Sequence, residues 1–208
     1  MKLYTARLSP NGKRIHIGAA ELGVQLDRAL LDFQQGENRA ADYLTLNPMG
    51  KVPTLVDDGL VLWESPAILW HLASQHDRGQ LLPREPRAQA DTLRWMFFGG
   101  SHIDPYVTTM VVERFIKARR GVAGDEHLAT AAERDVARYL TVLEAQLTSK
   151  EFVMGRFGLA DITIGCALEL APLVKLDLAP YPSLQTWLER LQARPSWQQA
   201  SALQQGAM

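Results

Sequence analysis

The segment "GKVPTLVDDGLVLWES", residues 50–65, decides the fold of this chain. Two apolar runs, 52–56 and 60–63, stand on either side of an Asp-Asp-Gly sequence. An Asp-Gly pair between apolar runs is a strong signal of a β-hairpin. Because proline has no N–H to donate to a sheet ladder, we expect Pro53 at the first position of its strand.

The hairpin leads directly into a predicted helix. The segment "SPAILWHLASQ", residues 65–75, begins with serine and proline. Serine is favoured at the N-cap of a helix and proline at its first position, so we expect Ser65 and Pro66 in those places. Glu64 lies immediately before them, where the N–H groups of a helix N-terminus are unpaired and carry a partial positive charge.

The residues before the hairpin alternate between strand and helix patterns. Strands are predicted at 2–6 and 27–33, and helices at 10–22, which ends at Gly23, and at 39–46. With the hairpin and the helix that follows it, the predicted order is β-α-β-α-β-β-α.

The chain changes character after this unit. Residues 76–89 are polar, contain two prolines and are typical of a linker. Beyond the linker the pattern is helical, with predicted helices at 88–120 (broken near Gly99-Gly100 or Pro105), 125–148, 159–173 and 183–193, the last capped by Ser183 and stopped by Pro195. We therefore predict an α/β domain at 1–78, a linker at 79–87 and an all-α domain at 88–208.

Composition excludes several classes of function. The chain has 208 residues and a net charge of −1, which gives no bulk attraction to nucleic acid or to anionic membranes. Its single cysteine, Cys166, excludes a disulfide framework, and its five histidines show no metal-ligand spacing. There is no apolar signal core at the N-terminus and no apolar run long enough to span a bilayer, so we expect a cytoplasmic protein without a metal.

Four motifs, in order, resemble the cytosolic glutathione transferase superfamily. They are "SPNGKR" (9–14), "NPMGKVPTL" (47–55), "WESPAI" (63–68) and "GLADITI" (158–164), and the resemblance covers essentially the whole chain. It implies an α/β thioredoxin-like N-terminal domain followed by an all-α domain, a homodimer, and glutathione as co-substrate in detoxification. Within the superfamily the chain is similar to bacterial serine-type, theta-like members, with some features of the nu class.

The resemblance also implies how glutathione is held. The counterpart of Pro53 is cis in thioredoxin-like sheets, and the backbone of Val52 would pair with the cysteinyl residue of glutathione as an added strand. Lys51 would meet the glycyl carboxylate, and Asn38 lies where some family members place a polar contact to glutathione. Without the flanking motifs, Pro53 would be interpreted as a plain turn or edge proline and Lys51 as a solvated surface residue.

The resemblance places the γ-glutamyl group at the helix that begins near Ser65. Ser65 would donate its hydroxyl and N–H to the carboxylate, and Glu64 would accept from the α-ammonium group. Capping alone would explain Ser65, but it does not explain Glu64.

The residue that activates the thiol is open between Ser9 and Asn11. Ser9 stands after the first strand, where the serine-type activator of the family belongs, and Tyr4 lies inside that strand. However, "SPNG" also resembles the "TPNG" of the nu-class, disulfide-reductase-like branch, in which the asparagine contacts glutathione. Ser9 and Asn11 also fit a simple helix start.

Two further groups follow from the resemblance. Phe98, His102 and Tyr106 are candidates for an electrophile pocket, although the aromatic stripe that contains them is equally compatible with core or dimer interface. Asp161 matches the helix-capping position of "GLADITI" and is expected to be structural, with Gly158 in place of the usual Ser or Thr. Cys166 is expected to be an inert core thiol.

Three functions remain open at this level. The first is a glutathione transferase that conjugates the thiolate to small hydrophobic electrophiles, with disulfide or peroxide reduction as its alternative chemistry. The second is a non-catalytic glutathione- or ligand-binding protein of the same fold. The third is an interaction module that uses the fold as a dimerisation scaffold.

Overall fold

The computed structural model of the chain describes residues 1–206. The chain divides into two compact units. The first contains Met1–Leu82 and the chain from Ala193 onward, and the second is Pro83–Gln192. The thioredoxin-like fold followed by helices is confirmed. The predicted domain limits differ from this division at the C-terminal side, because the last helix groups with the first unit.

The elements of the first unit follow the predicted order. They are β1 (Lys2–Thr5), α1 (Pro10–Leu22), β2 (Asp27–Leu30), α2 (Ala41–Leu46), β3 (Thr54–Asp57), β4 (Leu60–Trp63), α3 (Ser65–His76) and, at the far end of the chain, α10 (Pro195–Gln205). A short 3-10 turn, Glu37–Arg39, precedes α2. Helix α1 ends at Gly23, whose φ of 68° is the left-handed conformation that glycine adopts without steric cost.

The four strands form one mixed sheet in the order β2-β1-β3-β4. β1 and β2 run parallel, whereas β3 is antiparallel to both β1 and β4. β2 ends at Leu30, earlier than the predicted strand end at 33. There the N–H of Leu31 still bonds to Thr5 O at 2.8 Å, and the Asp32 side chain then accepts the N–H of Gln34 at 2.8 Å and turns the chain away.

Three helices of the first unit pack together: α1 packs on α3, and α10 packs on α1. Their apolar faces and the sheet supply fully buried side chains, among them Leu3, Ile15, Leu55, Ile68 and Leu72. An ion pair fixes α10, because Arg194 Nε and Nη2 lie 3.0 and 2.9 Å from the Glu21 carboxylate on α1. The helix before Pro195 ends at Gln192, as predicted, and Pro195 also begins α10, which was not predicted.

The second unit is helical, as predicted. Its elements are α4 (Pro86–His102), α5 (Asp104–Met110), a π-helical segment (Val111–Ile116), α6 (Lys117–Arg119), α7 (Glu126–Leu147), α8 (Leu159–Leu168) and α9 (Pro182–Gln192). The break in the first predicted helix falls at Ile103, two residues before Pro105, one of the two predicted positions. α8 ends five residues earlier than predicted, and the chain continues as turns that include Pro172.

The cap of α9 differs from the expectation. Ser183 lies inside α9 and does not cap it. Its backbone N–H and that of Leu184 donate to the Glu144 carboxylate of α7, at 3.0 and 2.8 Å. A carboxylate from a neighbouring helix therefore replaces the predicted serine cap, and it also suits the positive end of the helix dipole.

Candidate functional site

The candidate site lies at one end of the sheet, which we call the Pro53 end. Tyr4 pairs with Thr54, and Thr54 pairs with Trp63, so the residues just beyond β1, before β3 and after β4 share this end. The loops that carry Ser9, Val52 and Glu64 are therefore brought together, as the sequence predicts.

The Val52–Pro53 peptide bond is cis, as the resemblance implies. Pro53 is buried, and Val52 is half-buried. Within residues 1–206, neither the N–H nor the C=O of Val52 makes a hydrogen bond. These two groups are one donor and one acceptor, which an extended peptide backbone can pair with.

The loop before Pro53 is held by side chains that sequence reasoning missed. The Tyr43 hydroxyl and Asn47 Nδ2 both donate to Lys51 O, the latter at 2.9 Å. Tyr43 also lies 2.9 Å from Thr54 Oγ1, and burial raises the pKa of its hydroxyl. Asn47 opens the motif "NPMGKVPTL", whereas Tyr43 lies outside all four motifs. The Lys51 side chain itself is exposed.

Asn38 also contributes to this loop. Its side chain is buried, and its Nδ2 donates to Gly50 O at 2.8 Å. The contact fixes the carbonyl two residues before Val52. The observed role of Asn38 is therefore to position the loop, and its predicted contact with glutathione remains a prediction.

The start of α3 differs in detail from the prediction. Ser65 is the first residue of the helix, and the N-cap position belongs to Glu64, which makes no side-chain capping bond. Glu64 has φ 72° and ψ 107°. Non-glycine residues with such dihedrals carry a strain of about 1–3 kcal/mol and cluster at functional sites. The Ser65 hydroxyl is left for other contacts because it does not cap the helix.

Ser9 is the N-cap of α1. Its Oγ accepts the backbone N–H of Gly12 at 3.0 Å. Position 12 requires glycine, because a Cβ on residue 12 would lie 2.0 Å from Thr5 Oγ1. A serine hydroxyl that accepts one bond keeps its own proton to donate, so capping and donation to a ligand are compatible.

A buried arginine that the sequence did not single out joins the two helix starts. Arg14 Nη1 donates to Asn11 Oδ1 at 2.9 Å and to Ser65 Oγ at 2.7 Å. Ser65 Oγ in turn lies 3.3 Å from Asn11 Oδ1. Two helix N-termini and a guanidinium thus meet at one place, which favours a bound carboxylate or thiolate.

A basic cleft lies next to Ser9 within the first unit. Four of its lining residues are Arg7, Lys13, His16 and Arg28, and none of the described residues that line it is acidic. Burial and the nearby Arg28 lower the pKa of His16 to about 4. The cleft volume of about 10 Å³ holds about one water molecule, so an aromatic acceptor does not fit there.

The predicted electrophile-pocket residues form an aromatic group in the second unit. Phe98, His102 and Tyr106 surround Tyr139, with ring-centroid distances to it of 6.2, 4.7 and 5.8 Å. Side-chain hydrogen bonding with Tyr139, which favours the neutral phenol, raises the pKa of Tyr106. Sequence reasoning missed Tyr139 because it lies on α7, more than thirty residues from the others.

Asp161 and Cys166 have the expected structural positions. Asp161 is fully buried and accepts from Val153 N, Gly158 N and Trp187 Nε1 at 2.8, 3.0 and 2.8 Å. Only the Asp161 half of a capping box exists, because Gly158 has no side chain. Cys166 is buried on α8.

Two other kinds of feature are absent from the described part of the chain. Within residues 1–206 there is no group of three or more His, Cys, Asp or Glu side chains placed to hold a metal ion. In the same range, every helix is too short or too polar to cross a bilayer.

Comparison with known proteins gives the family. The family model "Glutathione S-transferase, N-terminal domain" matches residues 1–74, and "Glutathione S-transferase, C-terminal domain" matches 95–195. Two curated relatives are a glutathione S-transferase of Hyoscyamus muticus and glutathione S-transferase 3 of Zea mays. The first is 29% identical, and the match covers 96% of this chain and 97% of the relative. The second is 30% identical and covers 97% of this chain and 93% of its own.

A solved structure agrees over the full length. Glutathione transferase URE2P6 of Phanerochaete chrysosporium, crystallised with oxidised glutathione, has a TM-score of 0.90 and 27% identity, and the match covers 100% of this chain and 97% of that one. These matches extend over both units and include every motif at the Pro53 end. The chain belongs to the glutathione S-transferase family.

Proposed function

We propose that this glutathione transferase binds glutathione at the Pro53 end and conjugates its thiolate to small hydrophobic electrophiles. The observation that carries the proposal is the meeting of the α1 and α3 N-termini. Asn11 and Ser65 lie 3.3 Å apart there, and both contact the buried Arg14. The open backbone of Val52 lies at the same end of the sheet. The arrangement matches an extended peptide that carries a carboxylate and a thiol.

Each part of glutathione has a partner in this proposal. The γ-glutamyl carboxylate lies at the α3 N-terminus and accepts from Ser65, while its ammonium group donates to Glu64. The cysteinyl backbone pairs with Val52, beside Pro53. The glycyl carboxylate meets Lys51.

The chemistry requires the thiolate, because the thiol is a weak nucleophile. Ser9 donates its hydroxyl proton to the sulfur, Asn11 donates its Nδ2 hydrogens, and the α1 N-terminus adds positive potential. Each unit by which the thiol pKa falls needs about 1.4 kcal/mol of differential stabilisation, roughly one charge-assisted hydrogen bond. The thiolate then attacks the electrophilic carbon, a carbon–sulfur bond forms, and the leaving group departs with the bonding electron pair.

The remaining assignments belong to the same proposal. Phe98, His102 and Tyr106 offer flat apolar surfaces that suit an aromatic acceptor. The protein acts in the cytoplasm as a homodimer, in detoxification, and as a serine-type, theta-like member of the family.

A second candidate is reduction of mixed disulfides. It is favoured by Asn11, which stands within the nu-like sequence "SPNG" with its amide oriented by Arg14. The similarity to URE2P6, which was crystallised with oxidised glutathione, supports it as well. In this reaction the thiolate attacks the glutathionyl sulfur of a mixed disulfide, oxidised glutathione forms, and the partner thiol leaves as a thiolate that takes up a proton.

The two chemistries are separated by direct assay. We expect the purified protein to conjugate glutathione to chlorodinitrobenzene faster than it reduces a glutathionyl mixed disulfide, each relative to the uncatalysed reaction. The opposite ranking favours the reductase. Calorimetric binding of glutathione with neither activity favours a ligand-binding protein, and no binding at millimolar glutathione favours a dimerisation scaffold.

A further inference from the structure

Arg14 is the most buried charged side chain at the Pro53 end. It lies on the second turn of α1 and is 1% exposed. Burying a cation is unfavourable unless it is well paired, so its contacts are expected to matter. Two of them go to site residues: Nη1 donates to Asn11 Oδ1 at 2.9 Å and to Ser65 Oγ at 2.7 Å.

The first contact fixes the orientation of the Asn11 amide. Arginine carries donors and no acceptor, so only the oxygen of an amide faces it favourably. A flipped amide would set the NH₂ group against the guanidinium. With Oδ1 held by Arg14 and Ser65, Nδ2 and its two hydrogens must point to the opposite side. Within residues 1–206 these two hydrogens are not donated to any acceptor.

The second contact fixes the direction of the Ser65 hydroxyl. Because Arg14 donates to Ser65 Oγ, the hydroxyl proton must be donated elsewhere. Its acceptor in the structure is Asn11 Oδ1, at the long distance of 3.3 Å. A carboxylate at the α3 N-terminus is a stronger acceptor and would take this proton, while Arg14 would continue to hold Asn11.

We propose that Arg14 is a positioning residue that serves both ends of glutathione. It turns Asn11 Nδ2 toward the thiolate and the Ser65 hydroxyl toward the γ-glutamyl carboxylate. The inference rests on the proposed function. It assigns Arg14 an effect on thiol ionisation that is exerted through Asn11, in addition to its role in the core of the first unit.

The other charged groups near this place do not offer the same geometry. On α1, Lys13 lies over the Trp197 ring, at 5.5 Å from its centroid. Lys51 in the loop before β3 and Glu64 before α3 are both exposed. Among the interactions observed in residues 1–206, Arg14 is therefore the charged residue that contacts both Asn11 and Ser65.

The test measures kcat/KM for the electrophile at saturating glutathione, which reports the pKa of the bound thiol, as a function of pH in Arg14→Gln and Arg14→Lys. Glutamine is uncharged and has an acceptor, so it lets the Asn11 amide flip, and we expect the kinetic pKa of the thiol to rise by about one unit. Below that pKa, kcat/KM falls about tenfold, and at high pH it recovers. Arg14→Lys keeps a donor-only cation and is expected to restore most of the loss.

Two comparisons separate positioning from a general loss of stability. In Asn11→Ala, adding Arg14→Gln should give no further rise in the kinetic pKa, because Arg14 acts through Asn11. Glu21→Gln is the matched control, since it breaks the ion pair of α1 with Arg194 and leaves the Pro53 end intact. We expect it to lower the melting temperature without moving the pH profile.

If Arg14→Gln does not fold, Asn11→Ala tests the step through which Arg14 acts. It removes the Nδ2 hydrogens without adding a charge, so the kinetic pKa should again rise. An unchanged pH profile in Arg14→Gln or Asn11→Ala, or additive shifts in the double variant, would overturn this inference alone. Failure of the unaltered protein to bind glutathione would overturn the proposed function, and this inference with it.

Discussion

At the scale of the residue, Ser9 has two roles for one hydroxyl group. Its oxygen caps α1 through the N–H of Gly12 at 3.0 Å, and its proton remains to be donated. A helix cap contributes about 0.5–2 kcal/mol to stability. Threonine keeps both roles and alanine loses both, so stability and thiol ionisation have to be measured separately.

We predict that Ser9→Ala lowers the free energy of unfolding by about 1 kcal/mol and raises the kinetic pKa of bound thiol, with little change in glutathione affinity. Denaturant unfolding, calorimetry and the pH dependence of kcat/KM for the electrophile at saturating glutathione give the three quantities. Ser9→Thr is the control and should resemble the unaltered protein. A full rate in Ser9→Ala at neutral pH would assign thiol activation to Asn11.

Sequence alone predicted Ser9, Asn11, Glu64 and Ser65 as site residues because each stands in a short motif at a predicted helix start. It did not identify Arg14, since the contact that matters joins residues 51 positions apart. Nor did it identify Tyr43, whose bonds to Lys51 and Thr54 depend on how α2 meets the following loop. The prediction that Ser65 caps α3 was wrong. The N-cap is Glu64, whose left-handed φ is unusual for its residue type.

At the scale of the element, Asp161 holds three segments of the second unit together. Its carboxylate accepts from the loop at Val153, from the start of α8 at Gly158 and from Trp187 on α9. Burial nevertheless raises its pKa to about 6. The folded protein therefore holds the proton on Asp161 more tightly than the unfolded chain does.

The sign of the pH effect follows from this difference. Between about pH 4 and pH 6 the folded state binds more protons at this group, so its contribution to stability falls as the pH rises through the folded pKa. We predict that the unfolding free energy of the unaltered protein, relative to Asp161→Asn, falls by about 2–3 kcal/mol from about pH 4 to pH 7.

Denaturant unfolding of both proteins across this range makes the measurement. Asp135→Asn, which alters an exposed ion pair with Arg138 on α7, is the control for general charge effects. A difference between the unaltered protein and Asp161→Asn that stays constant with pH would contradict the raised pKa.

Most helices and strands were predictable where the signal is local. The hairpin turn, the start of α1 and its end at Gly23 all come from residue types that favour those conformations. The π-helical segment was not predictable, because distant contacts accompany it: Arg114 within it bonds to Glu126, Glu133 and Val174 O. The cap of α9 likewise comes from Glu144 on another helix.

At the scale of the whole molecule, the order of the two kinds of unit was predictable from periodicity and from four motifs. The return of α10 to the first unit was not. It depends on the Glu21–Arg194 ion pair and on packing against α1, across 173 positions of sequence. Such a contact leaves no pattern in the residues next to it.

The central claim is that the Pro53 end binds glutathione and stabilises its thiolate. The most direct measurement is the ultraviolet absorbance of the thiolate of bound glutathione, followed as a function of pH with the protein in excess. Free thiols of this kind ionise near pH 8.5. We predict that the bound thiol ionises at least about one pH unit lower. Ionisation of the bound thiol at the same pH as free glutathione would contradict the claim, as would the absence of binding at millimolar concentration.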